Sequence, residues 1–252
     1  MVYFATRDQQ TTNGPGRHSV EDLAKSTEVS SEAVYVQYGC GFAAGAGWHN
    51  FDRSPTMRIE RLPIIGAALG RLSGNRQQFP DDVRYGDICK GLPIADGTVK
   101  GVYASHVLEH LSYEDCLKAL RNTYAMLEPG GAFRLIVPDL HERARRYLHD
   151  VENGSAEANS VFLRTAHLGR EKPPKSWLDL LRMFIGGTDH LWMWDEASMS
   201  EQLMAAGFTN VRRCEFGDSG DPMFARVEDI TRFIDPGLDM TELALAASKP
   251  AL

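Results

Sequence analysis

The chain has no excess of basic charge, no cysteine pair at redox or zinc spacing, no long apolar run and no internal repeat. Asp and Glu (34) outnumber Lys and Arg (27), for a formal net charge of -7. A nucleic-acid surface needs clustered Lys and Arg to release counterions from phosphates, so no nucleic-acid partner is expected. Cys40, Cys89, Cys116 and Cys214 include no CxxC, which fits reduced thiols in the cytoplasm better than disulfides or a zinc cluster. The longest apolar stretch, Leu62 to Leu69, is too short to cross a bilayer. Met1 to Ser19 carries charges and a Gly-Pro-Gly where a secretory leader would need an apolar segment. These absences predict a cytoplasmic protein with no membrane partner.

What is present is an ordinary globular composition, 43% hydrophobic and 24% charged over 252 residues, a length that suits one large α/β core. The expected organisation is an N-terminal extension over residues 1–30, then one domain over 31–252 with a helical insertion at about 150–190. From Ala33 onward, short β-rich runs alternate with helical patterns, the signature of a Rossmann-like, doubly wound, mostly parallel sheet with helices on both faces. Predicted strands cover Ala33 to Gln37, Trp48 to Phe51, Asp82 to Tyr85, Val99 to Ala104 and Ala132 to Val137, then Val211 to Phe216 and Glu242 to Ala247. Helical spacing marks Ser112 to Leu127, which Ser112 opens and Pro129-Gly130-Gly131 stops. It also marks Leu140 to Leu148, and Glu196 to Ala206, which Gly207 closes.

In such a sheet, ligands bind beyond the carboxyl ends of the strands. The residues there are Gly39, Gly41, Asp52, Asp87, Ser105 and His106. Glycines let a bulky ligand approach the backbone. A carboxylate at Asp52 can accept both hydroxyls of a ribose, and Asp87 can accept from an exocyclic amine. An adenosine with a charged tail satisfies this set.

A dinucleotide fingerprint needs a third glycine and an acid about 20 residues further on. Here Ala43-Ala44 replaces that glycine, and Asp52 arrives too early. The short crossover leaves little room for a helix whose N-terminus could support a pyrophosphate. S-adenosylmethionine has no phosphate and a positive sulfonium, so it suits this loop better. A nicotinamide-dependent oxidoreductase is the disfavoured alternative, and a non-catalytic S-adenosylmethionine-binding module is another.

The motifs in order are Tyr38-Gly39-Cys40-Gly41, Asn50-Phe51-Asp52-Arg53-Ser54-Pro55, Gly86-Asp87-Ile88, Leu92 to Asp96, Ser105-His106-Val107-Leu108-Glu109-His110-Leu111 and Leu127-Glu128-Pro129-Gly130-Gly131. With them the chain resembles the class I S-adenosylmethionine-dependent methyltransferases, in particular their type 11 small-molecule group. The resemblance covers Ala33 to Pro138, and Trp194 to Phe208 and Leu245 to Pro250 look like the family's last helix and closing hairpin. It implies an antiparallel final strand and cofactor contacts from Tyr38, Gly39, Gly41, Asp52, Arg53, Asp87, Ile88, Ser105 and His106. It also implies S-adenosylhomocysteine as product and in-line methyl transfer to oxygen or nitrogen of a small-molecule acceptor. Gln37 stands where the family usually carries an acid.

If the acceptor must lose a proton, a base is needed. His106 is the first candidate, followed by His190 and His141. His106-Val107-Leu108-Glu109-His110 also fits the H-x-x-E-H pattern of a class of zinc peptidases. Here the pattern begins at a strand end and no downstream acid suggests a third ligand, so no metal is assigned. Trp177, Trp192 and Trp194 either line an apolar pocket or bury the insertion, and Arg143, Arg145 and Arg146 read as a solvated helix face. A homodimer is compatible with all of this.

Overall fold

The computed structural model describes residues 33–54, 57, 79–169, 171–173, 189–235 and 237–251. Strand β1 (Val34–Tyr38) is buried over most of its length, as a central parallel strand covered on both faces must be. It pairs in parallel with β2 (His49–Asp52) on one side and β4 (Val99–Ser105) on the other. Beyond β2 lies β3 (Arg84–Tyr85), and beyond β4 lies β5 (Leu127–Val137), again parallel. β9 (Leu243–Ser248) runs antiparallel between β5 and β6 (Thr209–Arg213). The sheet order is therefore β3-β2-β1-β4-β5-β9-β6.

Alternation along β1 splits the core between two faces. Val36 and Tyr38 join Phe51, Val102, Leu120, Met199, Leu203 and Phe208 on one. Tyr35 joins Trp48, Tyr103, Ile136, Phe224 and Phe233 on the other. Helix α1 (Tyr113–Met126) covers the first face with Cys116, Ala119 and Leu120, and Ser112 caps it by accepting from the Asp115 N–H. After β5 come α2 (Leu140–Glu152), capped by Asp139, and α3 (Ala158–Thr165). α4 (Glu196–Ala205) begins at an Asp195 capping box. No helix among the described residues is long and apolar enough to cross a membrane.

Three expected strands shift, and of these Ala132 to Val137 lengthens at its start to Leu127–Val137. Asp82 to Tyr85 shrinks to its last two residues. Val211 to Phe216 becomes Thr209–Arg213, because Gly207 turns the chain straight into the sheet and Phe216 packs edge-on against Phe233 instead. The segment between β6 and β9 also holds a short helix α5 (Ile230–Phe233) and a hairpin of β7 (Ile234–Asp235) with β8 (Met240–Thr241), none of them predicted. The extension at 1–30, Trp177 and Leu62 to Leu69 lie outside the described residues.

Arg134, in the middle of β5, ties that segment down. Its guanidinium is buried and donates to Glu228 Oε1 (2.6 Å), Asp218 Oδ1 (2.7 Å) and the Glu215 carbonyl (2.9 Å). Removing one partner of a buried ion pair leaves an uncompensated charge. Arg134→Met is expected to lower unfolding free energy by about 3 kcal/mol or more in urea titrations. A loss near zero would show that the segment holds without this cation.

Candidate active site

The parallel order delivers the ends of β1, β2 and β4 to one edge. After β1, Gly39 (φ +64°) and Gly41 (φ +54°) both adopt the left-handed conformation that favours glycine. A Cβ on Gly39 would lie 2.2 Å from Val107 Cγ2, so the turn is pressed against the loop leaving β4. At Gly41 a Cβ would meet nothing within 4 Å, which leaves open space over the turn. Residues 39–48 contain turns and no helix, as the early arrival of Asp52 implied.

Asp52 is buried at the end of β2 and fastens this turn. Its Oδ2 accepts from the Gly41 N–H (2.9 Å) and its Oδ1 from the Ser54 N–H (2.6 Å). Each oxygen keeps a second lone pair, the acceptor pair a ribose diol requires. Asp87, also buried, accepts from the Cys89 N–H (3.1 Å) and lies 3.5 Å from the exposed Arg53 guanidinium. Ile88 is buried beside it. Two buried acids and an open glycine turn fit an adenosine without phosphates. The Tyr38 side chain turns into the core, where its hydroxyl accepts from Thr123 (3.3 Å), so only its backbone faces the edge. Gln37 Oε1 accepts from the Gly45 N–H (3.3 Å) and is spent on the loop.

At the end of β4, Ser105 Oγ is buried with no hydrogen-bond partner. His106 holds φ +54°, a strained conformation for a side-chain-bearing residue. Its Nε2 faces the Arg232 carbonyl (3.2 Å) and its Nδ1 lies 3.3 Å from Glu109 Oε1. Burial alone would lower the His106 pKa, but Glu109, the Arg232 carbonyl and Glu242 together raise it above the ordinary value.

Beside His106 is a cavity of about 260 Å³ lined by Pro138, Arg143, Arg164, His167, His190, Asp235 and Glu242, among others. Arg143 is buried and makes a two-pronged contact with Glu242 (2.8 and 2.9 Å), which also braces α2 against the start of β9. The expected solvated face therefore fails at Arg143, although Arg145 and Arg146 do pair with Glu142 and Asp150 at the surface. The His190 pKa is pushed down to about 4, first by burial and then by its His110 and His167 neighbours. His141 is exposed on α2 and does not line the cavity. Trp194 is buried in the core near Tyr113, and Trp192 is half exposed, so these two pack the insertion's end.

Sequence reasoning missed Arg143, Arg164, His167, Asp235 and Glu242 as cavity residues. Only Arg143 carried a signal, since it sits one helical turn beyond the Asp139 cap.

Asp52→Ala is expected to weaken S-adenosylhomocysteine binding by about 10- to 100-fold in calorimetry, the range for a hydrogen-bonded charge. Gly39→Val should abolish binding, because it adds both backbone strain and the Val107 clash. Wild-type affinity in either variant would move the cofactor site elsewhere.

A family model described as a methyltransferase domain matches residues 47–213. No curated protein sequence matches the chain. Among solved structures, one match is the complex between the Haloferax volcanii Trm112 methyltransferase activator and the methyltransferase, at 17% identity and a TM-score of 0.44, covering 92% of this chain and 88% of that one. A second is an S-adenosylmethionine-dependent methyltransferase from Methanosarcina mazei, at 12% identity and a TM-score of 0.47, covering 93% and 99%. A third, PigF with S-adenosylhomocysteine, has 16% identity and a TM-score of 0.41, and this chain covers 52% of its length. With its model spanning most of the sheet, the chain belongs to the methyltransferase-domain family and is an enzyme that uses S-adenosylmethionine.

Proposed function

We propose that the enzyme methylates oxygen or nitrogen of a small, polar acceptor seated in the cavity beside His106. The observation that carries this is the position of the cavity. It opens at the carboxyl edge of β4 and β5, where it takes in His106, whose neighbour Val107 packs against the Gly39 turn. Its volume of about 260 Å³ suits a small molecule, and its lining of Arg164, His167, His190 and Asp235 favours one bearing polar groups.

When bound, S-adenosylmethionine supplies an electrophilic methyl group on a sulfonium. The chain's task is then to align the acceptor and exclude water. Asp52, with Asp87 and the Gly39 to Gly41 turn, holds the adenosine end, aided by Arg53, Ile88 and the Tyr38 and Ser105 backbones. His106 lines the cavity one residue before Val107, which meets the Gly39 turn, and is the proposed group that takes or orients the acceptor proton. His190, on the cavity wall, is the second candidate, and His141 is placed too far out on α2 to share the task.

A screen of hydroxyl- and amine-bearing acceptors with labelled methyl donor tests this reading. The active acceptor should be turned over about 100-fold more slowly by His106→Ala, the scale of lost proton transfer, with S-adenosylhomocysteine affinity kept. Unchanged turnover in that variant would remove His106 from the chemistry. Turnover of a protein or RNA acceptor in place of every small molecule would overturn the substrate class.

A further inference from the structure

The cluster around Glu109 goes beyond methyl transfer. Glu109 is fully buried, yet neither of its carboxylate oxygens has a hydrogen-bond partner. His106 Nδ1 stands 3.3 Å from Oε1 without hydrogen-bond alignment, and Oε2 has nothing. A carboxylate taken out of water in this way needs a compensating positive charge.

Two imidazoles face it with lone pairs. His110 Nδ1 lies 3.2 Å from the Asp189 carbonyl, which can only accept, so Nδ1 donates there and Nε2 is the nitrogen turned toward the carboxylate. That Nε2 is 3.9 Å from Glu109 Oε1. His190 Nδ1 is likewise buried, with no hydrogen-bond partner. One ring nitrogen of His190, one of His110 and a Glu109 oxygen all lie within 4.8 Å of one another. A carboxylate and two imidazoles thus converge with no hydrogen bond among them.

The backbone holds the three in place. Glu109 and His110 belong to one 3-10 turn, Leu108–His110. The Leu191 and Trp192 N–H groups both donate to the Glu109 carbonyl (2.8 and 3.2 Å), which pins the His190 segment against that turn. Histidine ligands of metals characteristically donate their other ring nitrogen to a carbonyl, as His110 Nδ1 does to Asp189 here.

We infer that Glu109, His110 and His190 bind a divalent first-row transition metal ion at the wall of the acceptor cavity. Two imidazoles and one carboxylate suit zinc, cobalt or iron(II) better than magnesium or calcium, which prefer oxygen ligands alone. These are not the two histidines that the H-x-x-E-H zinc pattern would use. His106 faces the carboxylate, and the third ligand is a histidine 80 positions downstream of His110.

The test uses the full chain without an affinity tag, stripped with a chelator and dialysed. Zn²⁺ is titrated by calorimetry and Co²⁺ by visible absorption, and S-adenosylhomocysteine binding is measured on the same samples. The expected result is one equivalent of Zn²⁺ at micromolar affinity or tighter, with a Co²⁺ spectrum showing nitrogen ligation. His190→Ala and His110→Ala should each weaken Zn²⁺ by about tenfold or more. His149→Ala, which alters an exposed residue of α2, should leave it unchanged. Retained S-adenosylhomocysteine binding certifies that the variants are folded and reports the methyl-transfer reading separately. No Zn²⁺ binding by the wild-type chain, or equal affinity in the wild type and both ligand variants, overturns the inference.

Discussion

Because β1 is hydrogen-bonded in parallel to β2 on one side and to β4 on the other, the three strands leave the sheet at a common edge. The cofactor side of the site follows from that placement. The glycine turn after β1, the acid ending β2 and the His106 loop after β4 are neighbours although they span more than sixty positions. Asp52 then converts proximity into fixed geometry by bonding the turn and its own loop through two different oxygens. A carboxylate anchored twice by backbone loses little further freedom when a ligand arrives, which is the physical content of preorganisation.

The acceptor side is built differently. Its walls come from the connections that lie over β5 and β9, and buried ion pairs hold them. Arg143 with Glu242 joins α2 to the start of β9, and Arg134 with Glu228 and Asp218 joins β5 to the segment after β6. Such pairs are costly to desolvate and contribute more to a unique geometry than to stability. They suit a region without regular repeats of apolar residues, where hydrophobic packing alone would leave several arrangements nearly equal. Glu109 stands apart from them as a buried carboxylate that faces only imidazoles and has neither oxygen hydrogen-bonded.

Much of this was legible in the chain. The alternation of β-rich and helical runs announced the sheet, and Ser112 and Gly207 marked helix ends because capping chemistry is local. The two glycines and the acids Asp52 and Asp87 were readable as strand-end residues, since strand ends follow from patterning. Tyr38 was less so: its phenol goes to the core, because residue direction alternates along a strand and the motif does not say which face Tyr38 takes. The weak periodicity of residues 214–241 hid α5 and the β7–β8 hairpin, whose positions are set by the Arg134 network.

The sequence by itself determined the sheet and its cofactor edge, because periodicity, glycine turns and caps act over a few residues. Tertiary structure alone decided the acceptor cavity and the Glu109 cluster. Arg143 meets Glu242 and His110 meets His190 only after the chain has folded back across tens of residues, and no local preference encodes such a meeting. That is also why the sequence offers His190 only as a candidate base, while the fold sets it beside a buried carboxylate.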